Sequence, residues 1–160
     1  LAAKRVRVAA VERARQARVA ATIDWVAVGE QQPDMDHGFV GEGTETGTFQ
    51  ERRWRHGRWF EYTLGTRGEE SAVLSVTYSG WDRDRHFELW ANGRLLATEH
   101  LDGSRAGEFF QKEYPIDRDT IAAAAGRRVT IRFVGVGTSL AGGIYDVRLL
   151  RPDPASGAGR

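Results

Sequence analysis

HFELWANGRLLATEHL, residues 86–101, is the stretch on which the fold turns. Two apolar-containing runs flank Asn92-Gly93, and Asn-Gly between such runs is the strongest short-range hairpin signal a sequence carries. A two-residue hairpin turn needs positive φ at both central positions, which asparagine tolerates and glycine adopts freely. The same short-strand texture recurs on both sides of it. WFEYTLG (59–65) alternates Phe60, Tyr62 and Leu64 with polar residues, and SAVLSVTYSG (71–80) places Leu74, Val76 and Tyr78 on one face. TIDWVAV (22–28) is β-branched and aromatic. GEFFQKEYPI (107–116) reads as a strand ended by Pro115, and RRVTIRFVGVG (127–137) and GGIYDVRLL (142–150) close the series. Eight or so short strands separated by turn signals predict an all-β, antiparallel sandwich. No strand–helix–strand alternation is present to make a parallel sheet.

The ends differ from this middle. Leu1–Ala21 has alanine at eight positions and no glycine or proline, which predicts a helix with a weak stripe of Val8, Val11, Ala14 and Val19. A start at LAAKRV without a methionine is expected of a fragment, and the helix of a connector from a preceding domain. Residues 22–151 are then the β-sandwich domain. The tail, 152–160, is rich in proline, glycine and serine and is expected to be flexible. Between them, Asp119 is the expected cap of a short helix, DTIAAAAG, stopping at Gly126.

Composition narrows the function. At 160 residues the chain is one ordinary domain, large enough for a core without staples. The absence of cysteine excludes disulfides, thiolate metal sites and cysteine nucleophiles, without choosing a compartment. No stretch approaches the roughly 20 apolar residues of a membrane span. The first 21 residues hold Lys4, Arg5, Arg7, Arg13, Arg15 and Arg18 against Glu12 alone. These cations are not interleaved with aromatics, so a solvated helix face accounts for them better than a nucleic-acid platform.

GEQQPDMDHGFVGEGTETG (29–47) gathers Glu30, Asp34, Asp36, Glu42, Glu45 and His37 and looks at first like a reaction centre. An EF-hand loop wants acids at positions 1, 3, 5 and 12 and glycine at 6. Asp34, Asp36 and Glu45 fit positions 1, 3 and 12, but Gly38 falls at 5 and Phe39 at 6, so the motif fails. Four scattered histidines give no zinc spacing, and His37 reads as a hydrogen-bonded structural residue. The stretch is expected to be a loop joining the first strands, its acids pairing with arginines or accepting backbone N–H bonds. GTSLAGG (137–143) matches neither a nucleophile elbow nor a phosphate loop and is expected to allow a tight approach before the last strand.

For binding, the informative residues are aromatic. Sugar sites set an aromatic face against the C–H face of a ring and surround it with groups that bond hydroxyls. Trp25 and Trp90 fall inside strands and are expected in the core. Trp54, Trp59 and Trp81 stand beside loops, and WRH (54–56) and WDRDR (81–85) supply the polar partners. The candidate ligand-binding set is Trp54, His56, Trp59, Trp81, Asp82, Arg83 and Asp84. The alternative is that Trp81 caps the sandwich and the charges form surface ion pairs worth little each.

The order FEYTL, VLSVTYSG, the hairpin around LWANG, VTIRF and IYDVRL resembles jelly-roll carbohydrate-binding modules of the family 6 and 35 type. That resemblance implies a structural calcium between an early acid and an aspartate of the last strand, with Glu30 or Glu42 and Asp146 in those places. GEQQPDMDHG, WRHGRWFEY and AGGIYDVRL together resemble the C-terminal β-sandwich of glycoside hydrolase family 127-like proteins, the β-L-arabinofuranosidase group. The chemistry of that group sits in an (α/α) barrel with a cysteine nucleophile and a zinc. This chain has no cysteine to match it, so no catalytic residue carries over. The resemblance implies a non-catalytic accessory module that binds an arabinose-containing glycan weakly at a loop face. The alternative it leaves open is a structural domain that packs on the catalytic domain of the same parent chain or mediates oligomerisation.

Overall fold

The computed structural model describes residues 2–152. In chain order the elements are α1 (Ala2–Ala21), β1 (Thr22–Val26), α2 (Gln31–Asp36), β2 (Val40–Glu42), β3 (Glu45–Phe49), β4 (Arg52–Gly57), β5 (Trp59–Gly65), β6 (Ala72–Ser79), β7 (Arg85–Ala91), β8 (Arg94–Leu101), β9 (Phe109–Ile116), α3 (Arg118–Ala122), β10 (Arg128–Gly135) and β11 (Ala141–Leu150). The strands form two antiparallel sheets, a jelly-roll sandwich. One sheet runs β3-β4-β11-β6-β9, with β1 also pairing β11; the other runs β2-β5-β10-β7-β8. The flexible-tail expectation lies outside the described residues except at its first, Pro152.

The alternation read from the sequence becomes the core. Phe60, Tyr62 and Leu64 of β5, Leu74, Val76 and Tyr78 of β6, and Phe87 and Leu89 of β7 are all fully buried. They meet Val129, Ile131 and Phe133 of β10 and Ile144, Val147 and Leu149 of β11. Phe60 pairs in register with Phe133 and stacks on it with ring centroids 5.1 Å apart. Burial of each such side chain is worth about 1.5–3 kcal/mol. The β7–β8 hairpin turns on Asn92 and Gly93, at φ 49° and 80°. Asn92 does more than turn. Its Nδ2 donates to the carbonyls of Thr120 (2.9 Å) and Arg128 (3.1 Å), and its Oδ1 accepts from Thr130 N (2.8 Å).

Several expectations change. The acidic stretch is not a loop: it builds α2, β2 and β3 around one buried carboxylate, Asp34, which bonds Arg55 and the N–H of Gly29. His37 is structural, as expected, its Nδ1 facing Pro33 O at 2.7 Å and its Nε2 facing Asp24 Oδ1 at 2.8 Å. Asp117, not Asp119, caps α3, accepting from Thr120 N at 2.8 Å, and the helix ends at Ala122. Pro115 does not end β9, which continues to Ile116. Proline is tolerated there because β9 is an edge strand with one side unpaired. Trp25 is 47% exposed, and Trp90 is half-buried on the outer face. Trp90 follows the period of two set by Phe87 and Leu89, which sends its larger ring outward.

α1 has no buried residue, and no described helix is long and apolar enough to cross a membrane. Its last turn is tied down: Arg18 donates to Ser75 Oγ (2.9 Å) and Asp146 Oδ2 (2.7 Å). Thr22 Oγ1 in turn donates to Arg18 O (2.7 Å).

Candidate functional site

β4 alternates cleanly. Arg55 and Gly57 point inward, while Trp54 and His56 are half-buried on the outer face of the six-stranded sheet. Beside them, near the start of β11, Gly142 lies opposite His56. A Cβ on Gly142 would lie 2.7 Å from Arg55 O, so only glycine lets the two strands close up here. This is the tight approach expected of GTSLAGG. Above, the β6–β7 turn swings Trp81 and Asp82 over the same spot, Arg85 joins them from the start of β7, and Tyr145 of β11 completes the wall. Together with Phe49 and Gly143 these side chains line a cavity of about 230 Å³.

The walls are aromatic and braced. Trp81 meets Phe49 and Phe109 edge-on, with centroids 5.3 and 5.4 Å apart, and Phe109 meets Tyr145 edge-on at 5.0 Å. Trp54 and His56 lie 4.7 Å apart, tilted by 34°. Each edge-on pair adds about 0.5–1.5 kcal/mol beyond its buried area.

The polar groups are set among these rings. Asp82 Oδ2 accepts from Gly143 N at 3.2 Å, and Arg85 Nη2 lies 3.3 Å from His56 Nδ1. Among the described residues, Arg85 Nη1 is the one buried side-chain nitrogen or oxygen without a hydrogen-bond partner. Burial raises the Asp82 carboxyl above the ordinary range, although the Gly143 N–H and the charges of Arg85 and His56 pull the other way. Burial, then the neighbouring Arg85 charge, lowers His56. Burial and the Asp82 charge push the Tyr145 phenol up to about 12. At neutral pH the cavity therefore holds a neutral imidazole and a phenol beside the Asp82 carboxyl group and the Arg85 guanidinium, whose buried Nη1 has no hydrogen-bond partner. Such a set both donates to and accepts from hydroxyl groups.

Of the residues anticipated from sequence, Trp54, His56, Trp81 and Asp82 come together here. Trp59 does not. It lies in the other sheet, where Nε1 donates to Glu42 Oε2 at 3.2 Å and Arg132 covers the ring at 4.3 Å. Arg83 and Asp84 face solvent: Asp84 takes the positive φ of the turn, and Arg83 runs past Gly103. Arg85 and Tyr145 were missed. In WDRDR nothing marks which arginine folds inward. Simple alternation from Ile144 would separate Tyr145 from Asp146, but a register shift between Ile144 and Asp146 puts both on the outer face.

The three anticipated cation ligands are not assembled. Glu30 is the exposed residue before α2, and Glu42 sits on β2 in the second sheet. Asp146 is already engaged: Oδ2 accepts from Arg18 and Arg148 (2.7 and 3.0 Å), and Oδ1 from Trp25 Nε1. Two guanidinium groups on one carboxylate oppose a divalent cation. No three Asp, Glu or His side chains cluster closely enough to share a metal among the described residues.

A two-sheet antiparallel jelly roll with a small aromatic cavity on an outer face defines a β-sandwich with the fold of carbohydrate-binding modules. A family 35 carbohydrate-binding module from Clostridium thermocellum superposes with a TM-score of 0.50 at 9% identity, covering 71% of this chain and 92% of that one. The Podospora anserina GH26-CBM35 β-(1,4)-mannanase gives 0.51 at 14% identity, over 74% of this chain and 27% of that one. At such identities the likeness is one of fold. The chain itself belongs to the family of unknown function DUF6805, whose profile matches residues 18–150. No curated protein sequence matches it.

Proposed function

We propose that this domain is a non-catalytic carbohydrate-binding module, accessory to a glycoside hydrolase. The observation that carries the reading is the cavity between β4, β11 and the β6–β7 turn. There half-buried Trp54 and Trp81 flank Asp82, His56 and the unpartnered Nη1 of Arg85. A volume of about 230 Å³ lies below the roughly 300–1,000 Å³ of drug-sized sites. It suits one sugar ring and weak binding. The sequence resemblance to family 127-like proteins supports an arabinose-containing glycan as ligand and a catalytic barrel in the parent chain as partner.

A second reading is favoured by α1, where Val6, Val8 and Val11 are 60–66% exposed. In that reading the helix packs on the catalytic domain and the sandwich is structural. Titration of arabinan, arabinoxylan and simple arabinosides into the domain, followed by tryptophan fluorescence, separates the two. A saturable change that Trp54→Ala and Trp81→Ala abolish supports the module. No change at millimolar sugar, with both variants behaving like the parent, leaves the packing role.

A further inference from the structure

The outer face of the six-stranded sheet carries a second aromatic station. β4 and β1 flank β11 on the same side, away from β6, and β1 continues the column where β4 leaves it. Arg55 pairs with Ile144, which brings Trp54 level with Tyr145; Trp25 pairs with Arg148. Three strand residues separate the two rows, about 10 Å. That exceeds one sugar ring and fits a short chain.

Trp25 is held as a platform. Its Nε1 donates to Asp146 Oδ1, Arg148 lies over its ring at 4.7 Å, and Arg18 and Arg148 both grip Asp146. Yet the residue stays 47% exposed. Arg148 takes one face of the ring, and the area left open belongs to an indole whose N–H is satisfied and whose orientation is fixed, a preformed stacking surface with little ordering entropy to lose.

We infer that Trp25, with Asp146 and Arg148, forms a second sugar subsite, and that the ligand is a glycan chain lying along β11 from the Trp54–Trp81 cavity to Trp25. The inference rests on the carbohydrate reading and adds the ligand's class: an internal or multi-residue segment instead of a single terminal sugar.

The test is affinity against chain length. The monosaccharide and the di- to hexasaccharides of the arabino-, xylo-, manno- and β-1,3-galacto- series are titrated into the domain by calorimetry. For the series that binds, affinity rises about tenfold from monosaccharide to tetrasaccharide, the worth of one added stacking contact. Trp25→Ala brings that ratio toward one, Trp25→Phe restores part of it, and Trp54→Ala weakens every member. Melting curves confirm that each variant is folded. Equal affinity for all lengths, or an undiminished length gain in Trp25→Ala, overturns the second subsite while leaving the cavity in place. Failure of every series removes the carbohydrate reading and the second subsite with it.

Discussion

Asp34 and Arg55 form an ion pair inside the sandwich: Oδ2 and Nη2 lie 2.7 Å apart, and each side chain is less than a tenth exposed. Arg55 also donates through Nε to Tyr62 Oη at 3.1 Å and lies 3.9 Å over the Phe39 ring. The pair ties α2 and β4 to β5, so the acidic stretch is held by one of its own carboxylates. Removing one partner strands the other charge, which costs about 3–5 kcal/mol. Asp34→Leu is therefore expected to lose that much in urea unfolding. The double variant Asp34→Leu/Arg55→Met is expected to lose less than Asp34→Leu alone.

Asn92 joins the β7–β8 turn to the end of α3 and to β10. Asn92→Ala deletes three hydrogen bonds and puts alanine at φ 49°. At about 0.5–1.5 kcal/mol for each bond the expected loss is about 2–4 kcal/mol. Asn92→Gly relieves the turn but not the bonds, so it is expected to remain well below the parent in melting temperature.

Asp24 sets an acid limit. Burial raises its carboxyl, but the Gly65 N–H, the His37 ring and the Trp25 N–H outweigh burial and hold it below the ordinary 3.8. A folded value below the unfolded one means that the stabilisation is full above the ordinary range. It is lost as pH falls through 3.8 toward the folded value. Stability measured from pH 5 down to pH 2 is expected to fall less steeply in Asp24→Asn than in the parent.

Asp82 has the opposite sign. Its folded carboxyl lies above 3.8, so its charge costs stability at neutral pH, and the cost is relieved on acidification. Asp82→Asn is expected to melt higher than the parent at pH 7, to converge with it in acid, and to bind sugar more weakly. A gain in stability together with a loss of binding would mark a residue kept for its ligand.

The engagement of Asp146 by Arg18, Arg148 and Trp25 bears on calcium. A cation bound only by the folded state must raise stability. The melting temperature is expected to be the same in millimolar calcium and in chelator.

The sandwich was legible because its strands are short and alternate around single apolar faces. Phe60, Tyr62 and Leu64 declared their burial by period alone, and Asn92-Gly93 declared its turn. β2 to β4 were not, since VGE, ETGTF and RRWRHG have little apolar content. They are strands through pairing with β5 and β11 and through the Asp34–Arg55 pair, which are long-range facts. The cavity was half legible for a related reason. An aromatic beside a polar cluster can be seen along a chain, whereas the inward fold of Arg85 and the bulge at Tyr145 exist only once β4, β7 and β11 are assembled.

Pro115 has a consequence for behaviour in crowded solution. β9 lies at the rim of its sheet, and an open rim invites strands from other molecules to dock and propagate. A residue without an N–H breaks the row of donors such a newcomer needs, and Lys112 and Glu113 place opposite charges on the same strand. The proline thus blunts that rim, so the domain can be concentrated with less risk of stacking into fibres along β9.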